Sequence, residues 1–219
     1  MSSDTIQNFW DIKLIDKNPA YPCIVIDNWF NPNEEKAVWK ELDFYSALPI
    51  ENIKRAENTI VARYGDGSSK SKAYRFYIED YYRKDGISHI KNCMYKQRSP
   101  EFHKIIEQCT PQCRSFLSSN NDSTLISYYE ENDHYAPHHD TFAWTCLIWM
   151  VREPILFEGG DFKLNETDTE IKLKNNRLVI FPSCLLHSVT PLKFKKPPPK
   201  EIGYGRYTIT HFYYGEPRG

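Results

Sequence analysis

The second half of the chain alternates short apolar runs with turn signals. Its apolar stretches are rich in β-branched and aromatic residues, and pairs such as Gly159-Gly160 and Asn175-Asn176 separate them. Runs of this length and spacing predict the antiparallel strands of a sandwich or barrel rather than alternating strands and helices. The predicted strands cover residues 124–129, 144–151, 161–164, 177–181, 186–189 and 206–214.

The first half mixes helical and strand patterns. After a short β-branched stretch, Asn31 is a good N-cap and Glu34 completes a capping box, so a helix is predicted to follow. A second helix is predicted from Ser99, with Pro111 as its break. Strands are predicted at 59–63 and 74–78, with a glycine-containing loop between them.

The length of 219 residues allows one large domain or two small ones, and a single β-sandwich or barrel of this size is ordinary. We therefore expect one domain over residues 1–219. In this prediction, residues 1–121 form a mixed α/β support, and residues 122–219 form a β-rich core that carries the functional site.

Charge and hydropathy narrow the choice of partner. The 28 Lys and Arg residues against 29 Asp and Glu residues leave a net charge of −1, so the chain presents no global field for nucleic acid or an anionic membrane. The longest uncharged apolar run, 143–151, is about half of what a bilayer span requires. Nucleic acid is therefore a disfavoured partner, and no membrane span is expected.

The N-terminal and cysteine patterns favour a cytoplasmic protein. Residues 1–7 lack the basic start and apolar stretch of a signal peptide. The six cysteines are scattered, and the one close pair, Cys109 and Cys113, lacks a second pair at zinc-site spacing. Free, mostly buried thiols are the favoured interpretation.

Two histidines and a carboxylate carry the strongest chemical signal. On an extended backbone, His138 and Asp140 point to the same face while His139 points away. His187 begins another predicted strand farther along the chain. Three such ligands on one face of an octahedral iron leave three open positions. Zinc is the alternative on ligand type, although the chain has no HExxH run of the kind found in metalloproteases.

The strand predicted at 206–214 alternates cleanly between two faces. One face carries four residues, namely Arg206, Thr208, Thr210 and Phe212. If this face is the interior, a guanidinium is buried there, which is costly unless an anion meets it. A dicarboxylate cosubstrate would accept two parallel hydrogen bonds in the geometry that arginine favours. The alternative is an exposed arginine at a strand end.

Five segments of the chain follow one another in a recognisable order. They are Tyr129 with His138-His139-Asp140, Phe157-Glu158-Gly159-Gly160-Asp161-Phe162, Phe181-Pro182, His187-Ser188-Val189-Thr190-Pro191, and Arg206-Tyr207-Thr208-Ile209-Thr210. Together they resemble the iron(II)- and 2-oxoglutarate-dependent dioxygenases, prolyl 4-hydroxylase-like branch. The resemblance covers about residues 122–214 and implies a mainly β fold, a double-stranded β-helix (jelly roll) with supporting N-terminal helices.

The resemblance also implies roles for individual residues. The implied iron(II) ligands are His138, Asp140 and His187. The implied 2-oxoglutarate-binding residues are Arg206, which pairs with the distal carboxylate, Tyr129 and Thr208. Tyr135 matches a tyrosine that lies near the substrate in such enzymes.

The activity implied by the resemblance is hydroxylation of an unactivated C–H bond. Dioxygen is the oxidant, 2-oxoglutarate is converted to succinate and carbon dioxide, and ascorbate is a further possible cofactor. A prolyl or other residue of a protein or peptide is the favoured substrate, and a free amino acid or small metabolite is the alternative. A non-catalytic jelly-roll binding module is the alternative from another class. The sequence carries no signal for an oligomeric state.

Three features depart from the family pattern. His187 and Arg206 lie 19 residues apart, farther than is usual in the family, because a Lys- and Pro-rich segment at 193–201 is inserted between them. This segment is predicted to be an exposed, stiff loop rather than a lid over the substrate. Trp149 stands where relatives often carry a tyrosine, and Phe212 where they often carry a tryptophan.

Overall fold

Antiparallel strands form most of the regular structure in the computed structural model, which describes residues 10–15, 22–48, 54–55, 61–82, 87–109, 111–197 and 203–215. In these residues the strands are β1 (Asp11–Ile15), β2 (Cys23–Asp27), β3 (Lys54–Arg55), β4 (Ser71–Lys72), β5 (Tyr74–Tyr77), β6 (Asn121–Tyr129), β7 (His134–His138), β8 (Trp144–Met150), β9 (Phe157–Glu158), β10 (Phe162–Leu164), β11 (Thr169–Ile171), β12 (Arg177–Pro182), β13 (His187–Val189), β14 (Lys193–Phe194) and β15 (Arg206–Tyr214). The helices are α1 (Pro32–Ser46), α2 (His89–Met94), α3 (Pro100–Cys109) and α4 (Arg114–Leu117), with 3-10 turns at Ile78–Asp80, Tyr95–Arg98 and Pro111–Cys113.

The strands are arranged in two main sheets. The larger sheet has the order β1-β2-β12-β8-β15-β6-β5-β3, and the smaller one the order β11-β10-β13-β7-β4. A two-stranded ribbon of β14 and β9 completes the described sheets. The mainly β fold with supporting N-terminal helices that was predicted is confirmed.

Side-chain alternation along β2 shows how the larger sheet is buried on both faces. Cys23 and Val25 point between the two sheets and pack in a cluster with Phe162 of the smaller sheet. Ile24 and Ile26 point the opposite way, into a cluster that contains the helices. Because helices cover the outer face, the central strands carry apolar residues on both faces, and every residue of β8 is buried.

The helix starts follow the capping chemistry predicted from the sequence. The Asn31 side chain accepts hydrogen bonds from the backbone N–H groups of Asn33 and Glu34, and the Glu34 carboxylate accepts one from Asn31 N–H. This capping box begins α1 as predicted. Ser99 Oγ accepts a hydrogen bond from Phe102 N–H at the start of α3, and that helix ends before Pro111.

The strand predicted at 59–63 is wrong over its described part. Residues 59–60 lie outside the described residues, and residues 61–62 form no strand. Arg63 makes only an isolated bridge to Ser69. A tight turn closes here, because Tyr64 N–H donates to the Ser68 carbonyl and Gly67 adopts a φ of 84°. The strand pattern also fails to predict the short or polar strands β1, β3, β4, β7, β9, β11 and β14.

The Lys- and Pro-rich segment at 193–201 is described only as far as residue 197. In this part, β14 pairs with β9, and Lys193, Lys195 and Lys196 are exposed. The lysines of the described part are therefore exposed, as predicted, but residues 193–194 form a strand rather than a loop, and Phe194 is partly buried against Phe157. Residues 198–201 lie outside the described residues.

Two further observations bear on the environment of the protein. None of the described helices is long and apolar enough to cross a membrane. The six cysteines are free thiols, and Cys23, Cys113 and Cys146 are buried. The cytoplasmic location and the use of ascorbate stay predictions.

Candidate functional site

The smaller sheet brings two imidazoles together with a carboxylate. His138, the last residue of β7, is paired across the sheet with His187, the first residue of β13. Asp140 follows β7, and its backbone N–H donates to the Ser183 carbonyl at 3.0 Å. The Asp140 carboxylate lies 3.6 Å from His138 Nε2 and 3.4 Å from His187 Nε2. The structure thus brings His138, Asp140 and His187, hereafter the triad, together within 4.8 Å.

Backbone contacts fix the orientation of both imidazoles. His138 Nδ1 lies 2.9 Å from the Ala136 carbonyl, and His187 Nδ1 lies 2.8 Å from the Leu185 carbonyl. Because a carbonyl oxygen only accepts, each Nδ1 carries a proton, and this contact turns each Nε2 toward Asp140. Burial, together with the nearby His187, lowers the pKa of His138 to about 2, so its imidazole is neutral at physiological pH.

Two imidazole nitrogens and one carboxylate oxygen form a suitable ligand set for a divalent metal. This donor set on one side of a cavity is that of the 2-His-1-carboxylate centres that hold non-haem iron(II). Nδ1–H contacts to backbone carbonyls are the usual support for metal-binding histidines. The residues present therefore fit an iron(II) ion.

Sequence reasoning missed a hydroxyl that donates to the Asp140 carboxylate and a second hydroxyl that contacts the first. Thr145 Oγ1 donates to Asp140 Oδ2 at 2.8 Å and lies 2.7 Å from Ser183 Oγ. Thr145 and Ser183 are both fully buried. The signal in the sequence is weak, since it consists of small polar residues within or just after apolar strands.

Five of the seven histidines lie outside the triad, and His139 and His211 are two of them. His139 is exposed, and its Nδ1 lies 2.8 Å from the Cys184 carbonyl, so its side chain points away from the triad as predicted. His211 is buried on the other face of β15, where its Nδ1 lies 2.8 Å from Thr124 Oγ1. Burial lowers the pKa of His211 to about 4.

A cavity of about 400 Å³, open to solvent, adjoins the triad. Its wall includes the predicted inner face of β15, formed by Arg206, Thr208, Thr210 and Phe212. The opposite face of β15 carries Tyr207, Ile209 and Tyr213, which pack in the cluster that contains the helices. The predicted alternation of this strand is confirmed, and Arg206 is an interior residue rather than an exposed strand end.

Arg206 is a buried cation that has no hydrogen-bond partner among the described residues. Its side chain is 0% exposed, and none of its three guanidinium nitrogens has a hydrogen-bond partner among the described residues. Burial lowers its pKa to about 10, which still leaves it charged at neutral pH. The guanidinium carbon lies 5.1 Å from the Tyr129 ring centroid and 5.3 Å from that of Trp149. Such a charge is stable only when an anion meets it, so Arg206 fits the carboxylate of a bound ligand.

Two further buried polar groups lie near Arg206, and one of them, on Thr208, lines the cavity. Thr208 Oγ1 and Trp149 Nε1 are buried and have no hydrogen-bond partner among the described residues. Gly160 has a φ of 68°, and a Cβ at this position would lie 3.3 Å from the Arg206 Cδ atom. The second glycine of the Gly159-Gly160 pair therefore lets the chain pass close to the Arg206 side chain.

Aromatic rings form the wall beside the triad. The Tyr135 ring stacks on His138 with a centroid distance of 3.4 Å, and its hydroxyl accepts a hydrogen bond from Ala62 N–H. Phe212 stacks on Phe142 at 4.2 Å. Tyr135 thus lines the cavity, and its contact with substrate stays a prediction.

Sequence reasoning missed a second arginine in the cavity wall. Arg75 lies on β5, within a strand that was predicted, and is only 8% exposed. Its signal in the sequence is an arginine among the aromatic residues of Tyr74–Tyr77.

Comparison with protein families finds one match that bears on this site. Residues 124–214 match the model of the 2OG-Fe(II) oxygenase superfamily. The matched range contains the triad, Tyr129, Thr208 and Arg206. A search of curated proteins finds no match.

Solved structures share the fold at low sequence identity. A prolyl-4-hydroxylase from Pseudomonas putida superposes with a TM-score of 0.59 and 14% identity, covering 98% of this chain and 97% of that chain. A 2OG-Fe(II) oxygenase family oxidoreductase from Burkholderia pseudomallei has a TM-score of 0.52 and 11% identity, covering 88% and 84%. The viral collagen prolyl hydroxylase of Paramecium Bursaria Chlorella virus-1, solved as a 2OG complex, has a TM-score of 0.51 and 13% identity, covering 87% and 94%. These likenesses show that the fold is the jelly roll of such enzymes.

Proposed function

We propose that this protein, which belongs to the 2OG-Fe(II) oxygenase superfamily through residues 124–214, hydroxylates an unactivated C–H bond in a residue of a protein or peptide, with proline as the leading candidate. The protein is a 2-oxoglutarate- and iron(II)-dependent dioxygenase. Its cofactors are iron(II), 2-oxoglutarate and dioxygen. The roles of individual residues in binding iron(II), 2-oxoglutarate and substrate, and the class of that substrate, belong to the proposal.

One observation carries the assignment of the site. A ligand set for a metal lines the same cavity as a fully buried guanidinium that has no hydrogen-bond partner among the described residues. A non-catalytic binding module has no need for both. An iron(II) enzyme with a dicarboxylate cosubstrate uses both, because one group fits the metal and the other fits the free carboxylate.

The triad residues would hold iron(II) through His138 Nε2, His187 Nε2 and the Asp140 carboxylate. When bound, iron(II) and 2-oxoglutarate supply the oxidising chemistry, in which dioxygen oxidises a C–H bond and 2-oxoglutarate becomes succinate and carbon dioxide. The protein contributes orientation. The backbone carbonyls of Ala136 and Leu185 hold the two imidazoles with Nε2 toward the cavity side.

Arg206 and Thr208 would bind the distal carboxylate of 2-oxoglutarate. The guanidinium offers two parallel N–H donors, and Thr208 Oγ1 adds a hydroxyl donor on the same strand face. Tyr129 and Trp149 flank the guanidinium and restrict its orientation. Full burial excludes water from this contact, which strengthens the ion pair.

The apolar part of the wall would limit stray oxidation. Leu125, Leu147 and Phe162 line the cavity beside the polar groups. Such a wall keeps bulk water from a reactive centre.

The likeness to prolyl-4-hydroxylases supports a prolyl or other peptide residue as substrate, because the fold of this chain matches almost the full length of the Pseudomonas putida enzyme. Tyr135 lines the cavity where the substrate would lie, as in the prediction from sequence. A free amino acid or small metabolite is the alternative substrate for the same chemistry.

Anaerobic absorbance spectroscopy tests the proposed site. Addition of iron(II) and 2-oxoglutarate to wild-type protein is expected to give a weak visible charge-transfer band. His138→Ala is expected to abolish the band, while His139→Ala, which removes an exposed imidazole outside the triad, leaves it unchanged. The absence of a band from wild-type protein would refute the enzyme assignment of this site.

A turnover assay tests the substrate class. Succinate release is measured over a panel of proline-containing peptides, free amino acids and oligonucleotides. Stimulation by peptides above the substrate-free rate supports the proposal. Stimulation by free amino acids alone selects the alternative, and stimulation by oligonucleotides contradicts both.

A further inference from the structure

The cavity wall contains a second arginine, which has no role in the proposed binding of iron(II) and 2-oxoglutarate. Arg75 is 8% exposed, and its Nη1 atom is buried with no hydrogen-bond partner among the described residues. It lines the same cavity as the triad and Arg206. Two guanidinium groups therefore face one cavity.

Sheet register separates the two arginines. Arg75 on β5 is paired with Ser127 on β6, and Ser127 is paired with Thr208 on β15. Arg206 is paired with Tyr129, and this pair lies two residues along the strands from the pair of Thr208 and Ser127, on the same face of the sheet. Arg75 and Arg206 are separated by two strand spacings across the sheet and by two residues along the strand direction. Their Cα atoms are therefore roughly 12 Å apart. The two cations thus belong to different parts of the cavity.

Arg75 lies on the side of the cavity where His138 stacks on Tyr135. Its guanidinium carbon is 5.8 Å from the Tyr135 ring centroid, and that ring stacks on His138. Arg75 retains slight exposure, whereas Arg206 is completely enclosed. The Arg206 end therefore suits an enclosed cosubstrate, and the Arg75 side suits a molecule that enters from solvent.

The cavity wall offers Arg75 no free carboxylate. Asp140 is the one carboxylate among the described residues that line the cavity, and it faces both triad imidazoles and Thr145 Oγ1. Glu79, in the 3-10 turn that follows β5, pairs with Lys91 and accepts from Thr124 N–H. A nearly buried guanidinium without an anion is destabilising, so a ligand that brings an anion is favoured.

We propose that Arg75 binds a carboxylate of the primary substrate. This inference rests on the proposed function, since it takes 2-oxoglutarate to be bound at Arg206. The hydroxylated carbon then lies close to a carboxylate, which is supplied by a free amino acid or by the C-terminal residue of a peptide. Arginine suits this role because its planar N–H groups match both oxygens of a carboxylate.

Equilibrium binding to the anaerobic iron(II)–2-oxoglutarate complex tests the inference with matched acids and amides. The probes are matched pairs of an acid and its amide. Free amino acids are compared with their amides, for example L-proline with L-prolinamide, and a peptide that ends in proline is compared with its C-terminal amide. The wild-type protein is expected to bind at least one acid about 10-fold or more tightly than its amide. The pair that shows this preference tells whether the carboxylate comes from a free amino acid or a peptide.

Variants connect the preference to Arg75. Arg75→Gln is expected to lose the preference for the acid while binding the amide as the wild type does, and Arg75→Lys is expected to keep part of it. Arg114→Gln, which changes an exposed arginine on α4, serves as the matched control and is expected to retain the full preference.

The charge-transfer band in the same samples separates the possible failures. Its absence from wild-type protein means that the proposed function itself has failed. A normal band in Arg75→Gln shows a folded site with bound 2-oxoglutarate. With that band present, an unchanged acid preference in Arg75→Gln, or no preference for any acid in the wild type, overturns the inference. Loss of 2-oxoglutarate affinity in Arg75→Gln overturns it as well, because Arg75 would then serve the cosubstrate.

Discussion

At the scale of single residues, Arg206 shows a conflict between stability and ligand binding. Burial of its guanidinium costs desolvation energy, and no hydrogen bond from a described residue offsets this cost. Arg206→Met is therefore expected to leave the ligand-free protein as stable as the wild type, or more stable by about 1–3 kcal/mol. With iron(II) and 2-oxoglutarate at about 100 times the Kd, the wild type gains about 2.7 kcal/mol, and the variant gains nothing from 2-oxoglutarate.

Anaerobic thermal unfolding with and without 2-oxoglutarate measures both effects of this substitution. Arg114→Met, at an exposed position, is the control and should respond to 2-oxoglutarate as the wild type does. An equal ligand-induced shift in Arg206→Met would contradict the assigned role of the guanidinium.

Thr145 provides a second prediction at this scale, because its hydroxyl donates to Asp140. Thr145→Val keeps the shape but removes the donor, so affinity for iron(II) is expected to fall about 10- to 100-fold. Ser183→Ala is the matched control. Thr145 gives its one proton to Asp140, so Ser183 Oγ donates to Thr145, and its removal leaves the Asp140 contact in place. Metal titration checks both variants, and an equal loss of affinity in the two would show that Thr145 has no special role.

The candidate site was partly readable from the sequence because its ligands are chemically distinctive. Two histidines, an aspartate and an arginine at the start of an alternating strand limit the possible chemistry. Thr145, Ser183 and Arg75 were not readable, because their residue types are common in strands. Their importance depends on which face of the sheet becomes the interior, and tertiary packing decides that.

At the scale of elements, strands with strong patterns were predictable and weak ones were not. β15 alternates over nine residues, and its two faces meet the cavity and the helical cluster as expected. β7 contains Pro137 and polar residues, so its pattern is that of a loop, and only pairing with β13 makes it a strand. The predicted strand at 59–63 fails where turn hydrogen bonds near Gly67 replace a ladder.

An ion pair between β2 and β12 gives a prediction for pH dependence. Arg177 lies opposite Asp27 and donates from Nε at 2.5 Å and from Nη2 at 2.9 Å. This contact lowers the pKa of Asp27 to about 2. The stabilisation is complete above the unfolded-state pKa of about 4 and is lost as the pH falls through 2.

Asp27→Asn is therefore expected to be less stable than the wild type at pH 7, by on the order of 1 kcal/mol. The difference should shrink steadily between about pH 4 and pH 2. Urea unfolding at several pH values measures it. A difference that stays constant down to pH 2 would show that the charge of Asp27 does not stabilise the fold.

At the scale of the whole molecule, the N-terminal and C-terminal parts share one sheet and one core. β2 lies between β1 and β12, and β5 lies beside β6, so strands from the first 121 residues complete the larger sheet. Trp29, Leu42 and Phe102 pack in the same cluster as Ile148 and Ile180. We propose from this sharing that residues 1–219 form a single domain.

This proposal predicts one cooperative unfolding transition for the full chain. It also predicts that a fragment of residues 122–219 does not fold, because β12 and β6 lose their neighbours β2 and β5. Calorimetry of the full chain and circular dichroism of the fragment provide the measurements. Two separate transitions, or a folded fragment that binds iron(II), would contradict the single domain.

We propose that the triad and Arg206 together form an iron(II)- and 2-oxoglutarate-dependent catalytic site. Succinate formation by purified protein in air, measured with and without iron(II), tests it most directly. The wild type is expected to form succinate slowly and only with iron(II), whereas His187→Ala and Arg206→Met form none above a protein-free control. Succinate formation at the wild-type rate in His187→Ala, or none in the wild type, would contradict the claim.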